Sequence, residues 1–184
     1  MISGNRGVSD ETDRMLVGRW KAGDSRAATE LVTRHAAALA RFAASSGERS
    51  EIDELVQDTF VRAFASLDSF RGAASLRTWL FTIARRLMLD RRRAERRQWS
   101  MVPIESAEPS TSYNALDSLL ASEAETQVRR AVEALSPMQR EVFTLRVEQG
   151  MSYKDIAEIL VSTEGAARVH YHNAIRAVKE FLDD

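Results

Sequence analysis

The 184-residue chain contains no cysteine. Disulfides, thiolate zinc sites and cysteine nucleophiles are therefore excluded. Proline (3) and glycine (8) are scarce, and aromatic residues make up only 7%. Sheets draw on β-branched and aromatic residues set between Gly, Pro and Asn turns, so these shortages argue against β structure. Long apolar runs are also missing. The longest, about Ala36 to Ala44, is interrupted by Arg41 and is too short to span a bilayer. Met1 to Met15 carries charges and no apolar stretch, so neither a signal peptide nor membrane insertion is expected, and the expected location is cytoplasmic. Nor is there an excess of one charge: 26 Lys+Arg stand against 27 Asp+Glu, a net of −1.

What the chain has in quantity is Ala, Leu, Arg and Glu, the strong helix formers. An all-α fold is expected. The near-zero charge conceals an asymmetry. Residues 1–98 hold 18 basic and 13 acidic side chains, a net of +5, whereas residues 99–184 hold 8 and 14, a net of −6. Arg85 to Arg97 alone carries seven arginines, and Trp99 to Gln127 has five acids and no Lys or Arg. A charge inversion at one point marks a boundary. Pro103, Pro109 and Ser110-Thr111-Ser112 add loop composition there. The expected organisation is a flexible N-terminus (1–12), a first helical domain (13–98), a flexible acidic linker (99–121, helical again from about Leu116) and a second helical domain (122–184).

In the first domain, helices are expected near 13–21 and 25–45, the second capped by Asp24 or Ser25. In 51–70, Ile52, Leu55, Val56, Thr59, Phe60, Ala63, Phe64 and Leu67 recur at helical spacing as a core face. The opposite face collects Glu54, Gln57, Asp58, Val61 and Ala65, with Arg62 at its margin. Ser75 is placed to cap a long helix running to about Gln98. Its core stripe is Leu76, Leu80, Ile83, Ala84 and Leu87, and its far side carries Thr78, Thr82, Arg85, Leu89, Arg92, Arg93 and Arg96. Seven arginines in thirteen residues exceed what a helix end needs for its dipole. Planar guanidinium forks suit phosphates and base edges, so contact with nucleic acid is expected here.

In the second domain, Ser136-Pro137-Met138-Gln139 combines a cap, a first-turn proline and a capping box. That helix runs through Val142, Phe143, Leu145 and Arg146, and Gly150 can close it in the left-handed conformation. Ser152 caps a short helix, Tyr153 to Leu160. A turn at Val161-Ser162 follows, and Thr163 caps a last helix to about Phe181. Short helix, tight turn and longer helix form a helix-turn-helix. Its second helix enters a major groove by its first residues, here Glu164, Gly165, Ala166, Arg168, Val169 and His172.

The run from Asp53-Glu54-Leu55-Val56-Gln57-Asp58-Thr59-Phe60 through Asp68-Ser69-Phe70-Arg71-Gly72 to Thr78-Trp79-Leu80-Phe81-Thr82-Ile83-Ala84-Arg85 resembles the second conserved domain of extracytoplasmic-function (group IV) sigma factors of bacterial RNA polymerase. Leu135 to Phe143 and Met151 to Leu160 resemble the fourth. The resemblance implies a transcription initiation factor and no enzyme. It implies that the helix bearing Glu54, Gln57, Asp58, Val61 and Arg62 docks the clamp helices of the largest polymerase subunit, with the flap of the second-largest subunit as a further contact. It implies that Arg71, Ser75, Thr78, Trp79 and Thr82 capture bases of the minus-ten element, that Arg85, Arg86, Arg92 and Arg93 hold the adjoining duplex, and that the helix from Thr163 reads the minus-thirty-five element. It further implies that the acidic linker threads the polymerase, and that an anti-sigma factor holds the protein inactive. No cofactor or metal is implied.

The sequence departs from the family pattern in places. Arg86 stands where Asn is common, and Val161-Ser162 where Gly and an aliphatic residue are common. A β-branched residue at positive φ is costly, which leaves the geometry of that turn open. His170 and Asn173 replace frequent arginines, and the last helix is net acidic, so a weak phosphate grip is expected. His170 and His172 point about 200° apart on a helix and cannot share an ion. Asp53 and Glu54 diverge likewise, which counts against a nuclease built on them with Asp58. The other reading is a stand-alone helix-turn-helix regulator acting without polymerase, which leaves the first domain unexplained.

Overall fold

The computed structural model describes residues 4–47, 51–100 and 123–183, and all regular structure among them is helical. In chain order the helices are α1 (Gly4–Lys21), α2 (Ser25–Ser45), α3 (Ile52–Ala65), α4 (Leu76–Ser100), α5 (Glu123–Glu133), α6 (Pro137–Phe143), α7 (Tyr153–Leu160) and α8 (Glu164–Asp183). A single 3₁₀ turn covers Leu67–Ser69, and α6 runs on as a π-helical turn over Thr144–Glu148. The acidic linker, including the helix expected from Leu116, lies for the most part outside the described residues.

Most expected elements are in place, and their ends have the expected chemistry. The Asp24 side chain accepts from the Arg26 N–H at 3.0 Å and caps α2. The Ser75 hydroxyl accepts from the Thr78 N–H at 3.0 Å and caps α4. Ser136 and Ser152 each head a complete capping box, with Gln139 and Asp155 respectively. Gly150 takes the left-handed conformation, φ +62°.

The first helix differs from expectation: it starts at Gly4, ahead of the region expected near residue 13. A polar cluster that hydrophobic periodicity cannot register joins it to α2. Asp13 is buried between α1 and α2, where its carboxylate accepts from Arg34 Nε at 2.9 Å and meets His35 Nε2 at 2.8 Å. Arg34 reaches on to the Ser9 hydroxyl at 3.2 Å, which ties down a residue assigned to a flexible arm.

The two helical units stand on either side of the linker as expected, and they also pack against each other. One hydrophobic cluster contains Leu39, Phe42, Leu80, Phe81 and Met88 from the first half together with Val142, Leu145, Met151, Ile156 and Leu160 from the second. Helix α7 lies along α4, and α6 touches α2. Phe42 and Phe81, both fully buried, meet at 5.2 Å between ring centroids. Burying side chains of this size stabilises by about 1.5–3 kcal/mol each, and an extended α4 stripe of Leu76, Leu80, Phe81, Ala84, Leu87 and Met88 is wide enough to serve both halves. A smaller cluster of Ala131, Leu135, Phe143, Ala174 and Val178 joins α5, α6 and α8.

The turn between α7 and α8 keeps the left-handed geometry despite its sequence. Val161 adopts φ 51°, ψ 54°, and the Ser162 N–H donates to the Ala157 carbonyl at 2.9 Å. The side chain is 79% exposed, so it gains little packing in return for a conformation costing a non-glycine residue about 1–2 kcal/mol. Val161→Gly is expected to raise stability by about 1 kcal/mol in urea unfolding; a neutral or destabilising result would contradict this account of the turn.

Asp13 generates a pH dependence. Burial pushes its carboxyl up, but the hydrogen bonds and charges of His35 and Arg34 outweigh burial and leave it below its ordinary value of 3.8. A carboxyl lowered in the folded state contributes stability that is present above its unfolded pKa and is lost as pH falls through the folded one. Thermal unfolding is therefore expected to show a drop in Tm below about pH 4. Asp13→Asn should have a lower Tm at pH 7 and a flatter acid limb; parallel acid limbs would exclude Asp13 as the source.

Candidate functional site: two exposed strips and a covered basic helix

The α3 strip stands in solvent as its spacing predicts. Glu54, Gln57, Val61 and Arg62 are exposed and Asp58 is half-buried. Val61 is 60% exposed although its neighbours on that face are polar. The acidic side chains are not free charges. Arg91, reaching across from α4, lies 3.1 Å from Asp58, 3.7 Å from Glu51 and 3.9 Å from Glu54. In the sequence Arg91 is one member of the arginine run. Its position 33 residues from Asp58 is a packing fact that local spacing does not carry.

The first turns of α8 are also open. The Thr163 hydroxyl accepts from the Ala166 N–H at 3.1 Å and caps the helix. Glu164, Gly165, Arg168, Val169 and His172 are exposed, and Ala166 is half-buried. Arg168 is held on both sides: its guanidinium lies 4.6 Å from the Tyr153 ring centroid and 3.6 Å from the Glu164 carboxylate. Cation–aromatic contact orients such a side chain while leaving donors available. Arg146 lies over the same ring at 4.6 Å.

Helix α4 is where position and expectation separate. Arg86, Arg93 and Arg96 are exposed, as is Arg71 in the break before the helix. Trp79 is half-buried against Phe70, ring centroids 5.0 Å apart. The remaining residues of the far face do not look into solvent. Thr78 is 1% exposed, Thr82, Ser75 and Leu89 are half-buried, and the Arg85 side chain retains 11% exposure. The second half engages Thr78 and Arg85 directly. Arg85 Nε donates to Glu141 Oε2 at 2.9 Å, and Arg92 stands 3.9 Å from the other oxygen. Arg92 also donates to the Ser46 carbonyl. The Thr78 hydroxyl donates to Asp155 at 3.1 Å, and Arg77 donates to Gln149 at 2.6 Å. Glu141 itself is buried. It sits on the inward side of α6 beside Val142, and its place in helical register with Met138 and Leu145, three before and four after it, is the sequence signal that could have marked it.

Among the described residues, no group of three or more His, Asp or Glu side chains is placed to hold a metal ion. No described helix is long and apolar enough to cross a membrane.

The chain is similar to known proteins over most of its length. Residues 31–98 match Sigma-70 region 2, and residues 125–178 match Sigma-70 region 4. The chain is 32% identical over 166 residues to an ECF RNA polymerase sigma-E factor of Haemophilus influenzae, covering 85% of this chain and 88% of that protein. Among solved structures, CnrH in complex with the cytosolic domain of CnrY is similar with a TM-score of 0.68 and 29% identity, over 94% of this chain and 97% of that one. The sigma factor RpoE of Bartonella quintana, in complex with the anti-sigma factor NepR, is similar with a TM-score of 0.67 and 28% identity, over 84% and 96%. An all-α chain carrying both regions in this order, with likeness along nearly its whole length, belongs to the ECF, group IV, sigma factors of the sigma-70 family, which are transcription initiation factors and not enzymes.

Proposed function

We propose that this sigma factor binds core RNA polymerase in the cytoplasm through the α3 strip. Glu54, Gln57, Asp58, Val61 and Arg62 dock the clamp helices of the largest subunit, and the second helical unit docks the flap of the second-largest. The observation that carries this reading is Val61, an exposed apolar side chain centred in a polar strip. An apolar centre ringed by polar groups has the anatomy of a binding patch.

Promoter recognition is divided between the two halves. Arg71, Ser75, Thr78, Trp79 and Thr82 lie at the break before α4 and in its first turns, where they capture unstacked bases of the minus-ten element. Unstacking costs a few kcal/mol per base, which binding on an aromatic and polar surface offsets. Arg85, Arg86, Arg92 and Arg93 follow along the same helix and hold phosphates of the adjoining duplex. The first turns of α8, with Thr163, Glu164, Gly165, Ala166, Arg168, Val169 and His172, enter the major groove at the minus-thirty-five element. With Glu164 and Glu180 paired to Arg168 and Arg176, this helix has few cations left for phosphate. Core polymerase therefore supplies most of the affinity. The acidic linker, residues 99–121, threads the polymerase between the two halves. An anti-sigma factor restrains the chain, a reading supported by the Bartonella relative, which is solved with one.

Run-off transcription with purified core polymerase on a promoter library tests the reading. Transcripts are expected only when both components are present. Val61→Glu should keep its helicity and weaken core binding by about thirtyfold, as loss of an interface hot spot of roughly 2 kcal/mol does. Tight, sequence-specific DNA binding without core polymerase, and no initiation with it, would overturn the reading in favour of a stand-alone regulator.

A further inference from the structure

Promoter recognition leaves Arg41, the residue that interrupts the longest apolar run of the sequence, without a role. We propose that it belongs to a small-molecule site in the first helical unit, a cleft between α1, α2 and the start of α4 that takes the pyrophosphate group of a ligand such as a nucleoside di- or triphosphate. The residues lining this cleft belong neither to the polymerase-docking strip nor to the sets proposed to contact DNA, so the site stands or falls apart from the promoter mechanism.

The cleft has a volume of about 470 Å³, within the range of about 300–1,000 Å³ usual for small-molecule sites. One wall follows from helical spacing. Arg34, Ala38 and Arg41 recur at i, i+4 and i+7 on α2, which sets them on one face. The small side chain of Ala38 leaves room between the two arginines. Arg77 lines the cleft from the first turn of α4, and Ser9 and Thr12 line it from α1. Apart from Ala38 the lining is polar, which suits phosphate groups rather than a base or an acyl chain.

Three arginines thus line one hollow, and among the described residues no Asp or Glu lines it with them. Two of the three are anchored. The buried Asp13 carboxylate accepts from Arg34 Nε at 2.9 Å, and its other oxygen meets His35, also part of the lining, at 2.8 Å. Arg77 donates to Gln149 at 2.6 Å. A guanidinium has five N–H donors in a fixed fork. Anchoring it by one or two of them sets its orientation before a ligand arrives and lowers the ordering cost of binding. Arg41 is exposed and, among the described residues, makes no hydrogen bond or ion pair; Glu148 acts on it through charge alone. Like charges gathered in one hollow repel one another, and an anion relieves the repulsion. A single phosphate carries a charge of about −1.5 to −2 at neutral pH, too little for three guanidinium groups, whereas two linked phosphates match them. Arginine–phosphate contacts are charge-assisted and frequently bidentate.

Isothermal titration of the full chain with inorganic pyrophosphate, at low salt and without divalent ions, tests the site and needs no polymerase. Saturable binding at a single site is expected, with inorganic phosphate weaker by about tenfold or more. At a pyrophosphate concentration about a hundredfold above Kd, the Tm should rise by about 5 °C. Arg41→Gln removes an exposed charge that holds no other residue in place, so the variant keeps its helicity. It should weaken pyrophosphate binding about tenfold, as loss of a charge-assisted contact does. Ala38→Leu, which fills the space between the arginines and leaves every charge in place, should weaken binding by as much. Absence of pyrophosphate binding would overturn the proposal. Binding unchanged in both variants, each of native helicity, would overturn it equally, because it would show diffuse attraction to a basic surface. Single-stranded DNA held through Arg41, with no affinity for pyrophosphate, would replace the small-molecule site with a nucleic-acid backbone contact.

Discussion

The carboxylate of Glu141 is almost sealed from water, and a lone carboxylate so placed would be strongly destabilising. It is tolerated because Arg85 donates to it directly and Arg92 stands on its other side. That requirement organises much of the molecule. For the three groups to meet, α6 must bring Glu141 within reach of Arg85 and Arg92 on α4, and Val142 and Leu145 belong to the same core cluster as Phe81. Helix α7, joined to α6 by the π-helical turn and Gly150, is then carried along the first half of α4. Buried ion pairs of this kind are poor stabilisers relative to well-packed apolar groups, yet they are costly to leave half-made. The pair therefore fixes which surfaces meet more than how firmly they hold.

The charge distribution takes on a different meaning in this light. A basic first half and an acidic second half read, along the chain, as two domains of opposite character. In three dimensions the opposite charges are partners. Arg85 and Arg92 belong to the basic run, and Glu141 and Asp155 to the acidic half. Arg91 repeats the theme within the first half by spanning Asp58 and Glu54 on α3. The arginines divide by burial. Arg86, Arg93 and Arg96 are exposed, Arg93 beside Asp90, whereas Arg85, Arg91 and Arg92 are partly buried against carboxylates of other helices.

Local chemistry carried much of this architecture. Caps at Asp24, Ser75, Ser136, Ser152 and Thr163 depend on residues within three positions of one another, and each forms as its sequence implies. The α3 core face and the exposed strip opposite it are set by helical period alone. The Asp13–His35 contact was not legible, because its partners are 22 residues apart and a buried polar pair leaves no mark in a hydrophobic pattern. Val161 shows a converse case. Its side chain disfavours the left-handed turn, yet the turn keeps it, since capped helices on both sides leave the connection little freedom.

The sequence by itself determined that the chain is helical, where most helices start and stop, which family it resembles and which strips of α3 and α8 face outward. These depend on propensity, period and short-range hydrogen bonds, all properties of neighbouring residues. Only the tertiary structure decided that the two halves share a core and that Thr78, Arg85 and Arg92 are engaged by Asp155 and Glu141. The physical reason is that a helix carries two usable faces. Periodicity says which residues share the far face of α4, but not whether water, nucleic acid or another part of the same chain lies against it.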